Sequence, residues 1–252
     1  TQYGHQISAS TGMSYPIPGV SGLYRDANGD LKFFKGVPNQ VTALTELYGT
    51  KFLREVTGIE APEMTIKTIL NPLDSTGKTK LLGMESAYDK RFAGGGTKFT
   101  EDEMIRQSIA SYILNDKDLS MTNVYGNFRP DVGAGGVLAS ASGATEFAKK
   151  LPSMKEQAMI NLLGVKGGAR KDFAVNTAPL AAKMTAKQYD RKMKAAMAKM
   201  YPKLVKFVAG IPKADRGPYV KLLKRFEAGM DTDFASLHGV HVAAKRNSGG
   251  PI

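Results

Sequence analysis

Asn115-Asp116-Lys117-Asp118-Leu119-Ser120-Met121-Thr122-Asn123-Val124-Tyr125-Gly126-Asn127 is the stretch on which the fold turns. It sets Asp118 five positions before Asn123, with the apolar pair Ile113 and Leu114 just upstream and a β-turn signal just downstream. This spacing lets one carboxylate take the proton of an attacking hydroxyl while an amide oxygen, one loop further on, holds a metal bound to phosphates. An Asp and an Asn so spaced are also common in solvated loops, so the weight lies in what surrounds them.

Toward the N-terminus, Ser8, Ser10, Thr11, Gly12 and Ser14 precede Tyr15-Pro16-Ile17-Pro18-Gly19. A hairpin signature follows: a strand from Val20 to Arg25, a turn at Asp26-Ala27-Asn28-Gly29 and a strand Leu31-Lys32-Phe33-Phe34-Lys35-Gly36. A Ser/Gly loop ahead of a hairpin whose second strand ends on a Lys suits phosphate, with Ser10, Thr11, Gly12 and Ser14 covering it and Lys35 pairing with it. Residues 39–57 predict a helix, because Asn39 can cap it and Val41, Leu44, Leu47, Tyr48, Phe52 and Val56 recur at helical spacing. Gly58 stops that helix. Glu46 lies on it and can meet Lys35 across the sheet, while Ile59 to Ile69 reads as a strand entered through Pro62.

This order of elements resembles the N-lobe of kinase-like proteins of the HipA and phosphatidylinositol 4-kinase type. Gly58-Ile59-Glu60-Ala61-Pro62-Glu63 looks like their G-[IV]-x-x-P-E entry into the strand after the Glu-bearing helix. Lys117 to Asn123 is similar to the protein-kinase catalytic loop H-R-D-L-x-x-x-N at Asp118, Leu119 and Asn123, and lacks the His and Arg. The resemblance covers residues 8–143. It implies an α+β, two-lobed protein-kinase-like fold: a small antiparallel β N-lobe with one helix over 8–86 and a mainly helical C-lobe over 87–242. Residues 243–252 read, from their own basic and polar composition, as a mobile tail.

The resemblance also implies ATP and Mg2+ as cofactors. Lys35 then steadies the phosphates and pairs with Glu46, Asp118 orients the acceptor hydroxyl, and Asn123 holds the metal. Leu81 to Tyr88 becomes the strand leading into a hinge, with Met84 at its buried end and backbone groups of Glu85 to Ala87 meeting the adenine. The chain departs from the pattern twice. G-x-G-x-x-G is missing, and Ser140-Ala141-Ser142-Gly143 stands where D-F-G would put a metal-binding Asp. Asp131 is the nearest carboxylate that could serve as the second metal ligand, and Asp116 is the other.

Composition bounds the alternatives. A chain of 252 residues, 42% of them hydrophobic, buries a sizeable core. Zero Cys excludes disulfides and thiolate metal sites, and His5, His238 and His241 are too scattered for a zinc centre, which leaves a hard, oxygen-ligated ion such as Mg2+. No apolar run reaches membrane-spanning length and no secretory leader is evident, so the expectation is a cytoplasmic protein without a transmembrane segment. The net charge of +12 predicts attraction to phosphates, nucleic acid or anionic membrane.

Gly77-Lys78-Thr79 carries the end of a Walker A motif, but Pro72 occupies the place of its first Gly and a strand follows, so it reads as a hairpin turn. Thr100 and Glu103 predict a capping box for a helix to Leu114. Thr185 to Val208 interleaves a Met-rich apolar stripe with Lys187, Arg191, Lys192, Lys194, Lys199 and Lys203, and Pro202 is expected to begin a new segment there. Gly217 to Gly229 is a further helix. The leading expectation is an ATP- and Mg2+-dependent phosphotransferase acting on a hydroxyl of a protein or small molecule. The alternatives are a pseudokinase that binds nucleotide or docks a partner, and a basic nucleic-acid- or membrane-surface-binding protein whose polyanion contact runs through the basic helix.

Overall fold

The hairpin predicted at the N-terminal end forms, and its turn explains why. Asp26 Oδ1 accepts the backbone N–H groups of Asn28 and Asp30, each at 2.9 Å, and Gly29 takes φ 84°, where a side chain is disfavoured. The computed structural model describes residues 21–26, 28–37, 39–70, 75–89, 91, 98–116, 119, 121, 124–130, 152–164 and 172–244. Among these are four strands, β1 (Ser21–Arg25), β2 (Leu31–Gly36), β3 (Thr65–Leu70) and β4 (Lys80–Ala87). The α-helices described are α1 (Gln40–Phe52), α2 (Glu101–Leu114), α3 (Met154–Leu163), α4 (Asp172–Ala181), α5 (Ala186–Gly210), α6 (Gly217–Gly229) and α7 (Ala235–Val242). The architecture is mixed α/β, with one small antiparallel sheet.

The sheet runs in the order β1-β2-β4-β3. β4 therefore lies between β2 and β3, with Met84 opposite both Lys35 and Ile66. The β3–β4 hairpin closes through a turn at 75–77 with Gly77 at φ 64°, so the Gly77-Lys78-Thr79 segment belongs to a hairpin, as read. One face of the sheet packs on α1 through Val37, Ala43, Met64 and Met84. The other carries Phe34 and Leu81. Gly83 has no room for a side chain, since a Cβ there would lie 2.2 Å from the Phe34 ring.

Three expectations change. The helix begun at Asn39 does not stay α-helical to Thr57: after Phe52 it widens into a π-helical turn, Leu53–Thr57, and ends at Gly58 in the left-handed region, φ 71°. Ile59 to Ile69 is not one strand. Pro62 has no N–H to give a ladder, and the chain before it crosses to pair elsewhere: the Glu60 N–H reaches Asn127 O at 2.7 Å, and the Arg129 N–H reaches Glu60 O at 2.8 Å. Pro202 does not begin a segment but sits inside the continuous α5. The lost hydrogen bond is tolerated because Met197, Met200, Leu204 and Phe207, on both sides of it, are buried in one core.

That core also holds Tyr48, Phe52, Leu53 and Val56 from α1 and its π-turn, together with residues of α2 through α7. α1 thus has its N-terminal half on the sheet and its C-terminal half among the helices.

Candidate functional site

Alternation along β2 separates Phe34 from Lys35. Phe34 covers Gly83 on one face, and Lys35 projects toward α1 on the other. There Lys35 Nζ donates to Glu46 Oε1 at 2.8 Å. The Glu46 side chain is 3% exposed and that of Lys35 22%, so the carboxylate is enclosed while the lysine side chain is partly exposed. Asn39 fixes where α1 begins, accepting the Thr42 N–H at 2.9 Å, and so sets which turn carries Glu46.

β4 runs alongside β2, with Met84 opposite Lys35 and its last residue, Ala87, opposite Lys32. The Val37 N–H donates to Leu82 O at 2.9 Å and the Tyr88 N–H to Leu31 O at 3.0 Å. Even-numbered residues of β4 therefore aim their backbone groups at β2, and by ladder alternation Glu85 and Ala87 aim theirs at the β3 side. Pairing with β3 stops at Thr65 opposite Glu85, whose carbonyl also accepts the Thr65 hydroxyl at 3.3 Å. Ala87 lies one step beyond the end of β3 and is exposed. The Glu85 side chain points to the face opposite Lys35 and pairs with Lys67; burial raises its carboxyl pKa above the usual range.

Asp118, Asn123, Asp131, Ser10, Thr11, Gly12, Ser14 and Ser140 to Gly143 lie outside the described residues. The described residues around Asp118 and Asn123 in sequence are held by burial and by several hydrogen bonds. α2, started by the expected Thr100/Glu103 capping box, ends at Asn115 with φ 53°. Asp116 then forms a fully buried ion pair with Arg129. Arg129 Nη1 also donates to Ser111 Oγ at 2.9 Å, and Gln157 Nε2 to the Asp116 carbonyl at 3.3 Å. Leu119 and Val124 are buried in the helical region. The Met121 N–H donates to Asp172 Oδ2 at 2.9 Å, and Gln107 Nε2 to Gly126 O at 3.0 Å.

Arg225 of α6 completes the frame. It donates to the carbonyls of Tyr112 and Ile113 at the open end of α2, and its Nε to Pro152 O at 3.0 Å. Burial pushes its guanidinium pKa down to about 10. Sequence reading missed Arg129, Gln157, Asp172 and Arg225. Each acts on a partner distant in sequence, and a single chain carries no local signal for such a pairing.

Among the described residues no three His, Asp or Glu side chains gather as a metal site, and no helix is long and apolar enough to cross a membrane. The basic residues expected on one helix do line α5, where Lys192 donates to Glu101 at 2.8 Å and Lys194 pairs with Asp190 at 3.1 Å.

No protein-family model matches the chain, and no curated protein sequence does. Among solved structures, the chain is similar to the crystal structure of a Helicobacter pylori proinflammatory kinase, CtkA. Identity is 10% and the TM-score 0.45, over 94% of this chain and 96% of that one. A likeness this loose does not decide the fold, and the functional reading rests on the geometry of the site.

Proposed function

We propose that the chain is a kinase-like, ATP- and Mg2+-dependent phosphotransferase acting on a hydroxyl. The observation that carries the reading is the Lys35–Glu46 bond at 2.8 Å, a strand lysine held by an enclosed helix carboxylate. A lysine so fixed presents its charge at a set place, which is what steadying the phosphates of a nucleotide requires. The order of the sheet adds support, since it brings β4 beside β2 and leaves the Ala87 backbone beyond the last pairing of β3. In this reading the adenine meets Ala87 and the adjoining backbone, with the Glu85 carbonyl already engaged by Thr65. Asp118 accepts the hydroxyl proton. Asn123 and Asp131 offer the hard oxygen donors that Mg2+ takes.

Asp116 favours a second reading. Its burial against Arg129 removes one of the two acids that could replace the missing D-F-G carboxylate. If Asp131 does not replace it either, the site binds nucleotide without transferring phosphate and the protein is a pseudokinase.

Two measurements test this. ATP with Mg2+ should raise the melting temperature of the wild type, because a ligand bound only by the native state stabilises it. Lys35→Met should remove most of that rise. Radiolabel transfer from ATP should disappear in Asp118→Ala. Transfer that survives Asp118→Ala overturns the catalytic assignment, and thermal stabilisation without transfer establishes the pseudokinase.

A further inference from the structure

A cleft of about 410 Å3, lined by neither Lys35 nor Glu46, is bounded by the π-turn after α1, by α2 and by α5. Ala195 and Ala196, with short side chains, and Gly58, at φ 71°, also line it. Cations dominate its lining: Lys192, Lys199 and Lys203 come from α5 and Arg106 from α2, which also contributes the carboxylate of Asp102. Lys192 is occupied by Glu101. Among the described residues no carboxylate pairs with Arg106, Lys199 or Lys203.

Arg106 is the telling residue. Its Nη1 has one long bond, to Gly58 O at 3.5 Å, and its Nε is buried with no hydrogen-bond partner. A buried donor without an acceptor is costly, and a planar guanidinium fits an oxyanion better than any neutral group. Lys199 and Lys203 stand one turn apart, ~6 Å along the axis, close enough for both ammonium groups to meet one phosphate while Arg106 of α2 meets another. The volume falls in the range of small-molecule sites, roughly 300–1,000 Å3.

We propose that this cleft binds a soluble small molecule carrying two or more phosphate groups, with Arg106 gripping one and Lys199 and Lys203 the next. The cleft is recessed between helices, whereas a membrane surface would need its cations on a convex face. The inference does not rest on the nucleotide reading, since none of these residues belongs to the Lys35 site.

Inorganic tripolyphosphate serves as the probe, titrated calorimetrically into the full chain without magnesium at physiological salt. The expected result is saturable one-to-one binding that weakens roughly tenfold in Arg106→Gln and again in Lys199→Gln, the loss expected for one charge-assisted bond. Lys199 is exposed, so that variant keeps the test valid should Arg106→Gln fold poorly. No saturable binding overturns the proposal, as does binding unchanged in Lys199→Gln, which would put the probe at another site. Co-sedimentation with phosphatidylserine vesicles but not phosphatidylcholine vesicles, without tripolyphosphate binding, would also overturn it in favour of a lipid headgroup.

Discussion

Two acid–base pairs sit in two regions of the molecule and are built to opposite ends. Lys35–Glu46 joins the sheet to α1 with the lysine side chain 22% exposed, while Arg129–Asp116 joins the two ends of the loop after α2 with both side chains at 1% or less. The first keeps its lysine partly exposed to solvent. The second is surrounded by Ser111, Gln157 and buried apolar side chains and has no open side, so its work is to fix the backbone. Burial thus separates a pair that solvent reaches from one that it does not, although both pairs join the same residue classes.

The contrast is broken most severely at the closed pair. Asp116→Ala leaves the Arg129 guanidinium buried without its counter-ion, and removing one partner of such a pair costs about 3–5 kcal/mol. Urea unfolding should show this as a fall in midpoint at constant slope. Replacing both partners by apolar residues, Asp116→Leu with Arg129→Met, should recover much of the loss.

The helical region also carries a buried histidine whose titration bears on stability. His241 is fully buried, with Nε2 2.9 Å from Thr177 Oγ1 and Nδ1 3.1 Å from Tyr189 Oη. The Thr177 hydroxyl donates to Phe173 O at 2.8 Å, so it accepts from Nε2–H, and Tyr189 donates to Nδ1. Both contacts suit the neutral ring, and burial lowers its pKa to about 4. The unfolded chain, titrating near 6.5, binds more protons between these values, so this contribution is fully present above pH 6.5 and is lost as pH falls toward 4. Its size is roughly 3 kcal/mol. Because carboxylates titrate in the same window, the check is the difference between wild type and His241→Gln, whose pH profile should be the flatter one.

At the open pair, Lys35→Met leaves Glu46 enclosed without its lysine and should cost about 1–3 kcal/mol, less than at Asp116 because solvent reaches this pair from one side. Chemical denaturation measures it, and a loss as large as that of Asp116→Ala would mean that the two pairs do the same job.

How far the sequence reveals this follows from the range of each interaction. The β1–β2 hairpin, the α1 start at Asn39 and the Thr100/Glu103 box were readable because turn and cap chemistry is settled within four residues. The ordering of Lys35 and Glu46 pointed to their contact, because a strand followed by a packed helix leaves few other arrangements. The π-turn was not readable, since one extra residue per turn leaves the apolar pattern of Leu53 to Thr57 looking like ordinary helix. Nor was the crossing of Glu60 to Asn127 and Arg129, which depends on a loop closing far along the chain. Pro202 misled because local propensity opposes helix there, and the buried residues around it prevail.

The smallest effect expected lies at the helix starts and separates the two regions again. Asn39 accepts the Thr42 N–H at 2.9 Å, and Thr100 accepts the Glu103 N–H at 3.2 Å while Glu103 returns the bond to the Thr100 N–H. Replacing either cap by Ala should cost about 1 kcal/mol, because one or two end N–H groups lose their acceptors. The consequences for the site should be slight even at Asn39, although α1 carries Glu46. Fraying spreads over the first turn, and Glu46 lies beyond it on a turn held by Ala43 and Tyr48, both buried. Asn39→Ala should therefore lower the unfolding midpoint while leaving ATP-induced thermal stabilisation as in the wild type. If stabilisation by ATP fell in step with the midpoint, the placement of Glu46 would depend on the cap and not on the packing beneath it, and the open pair would be far less rigid than its 2.8 Å bond indicates.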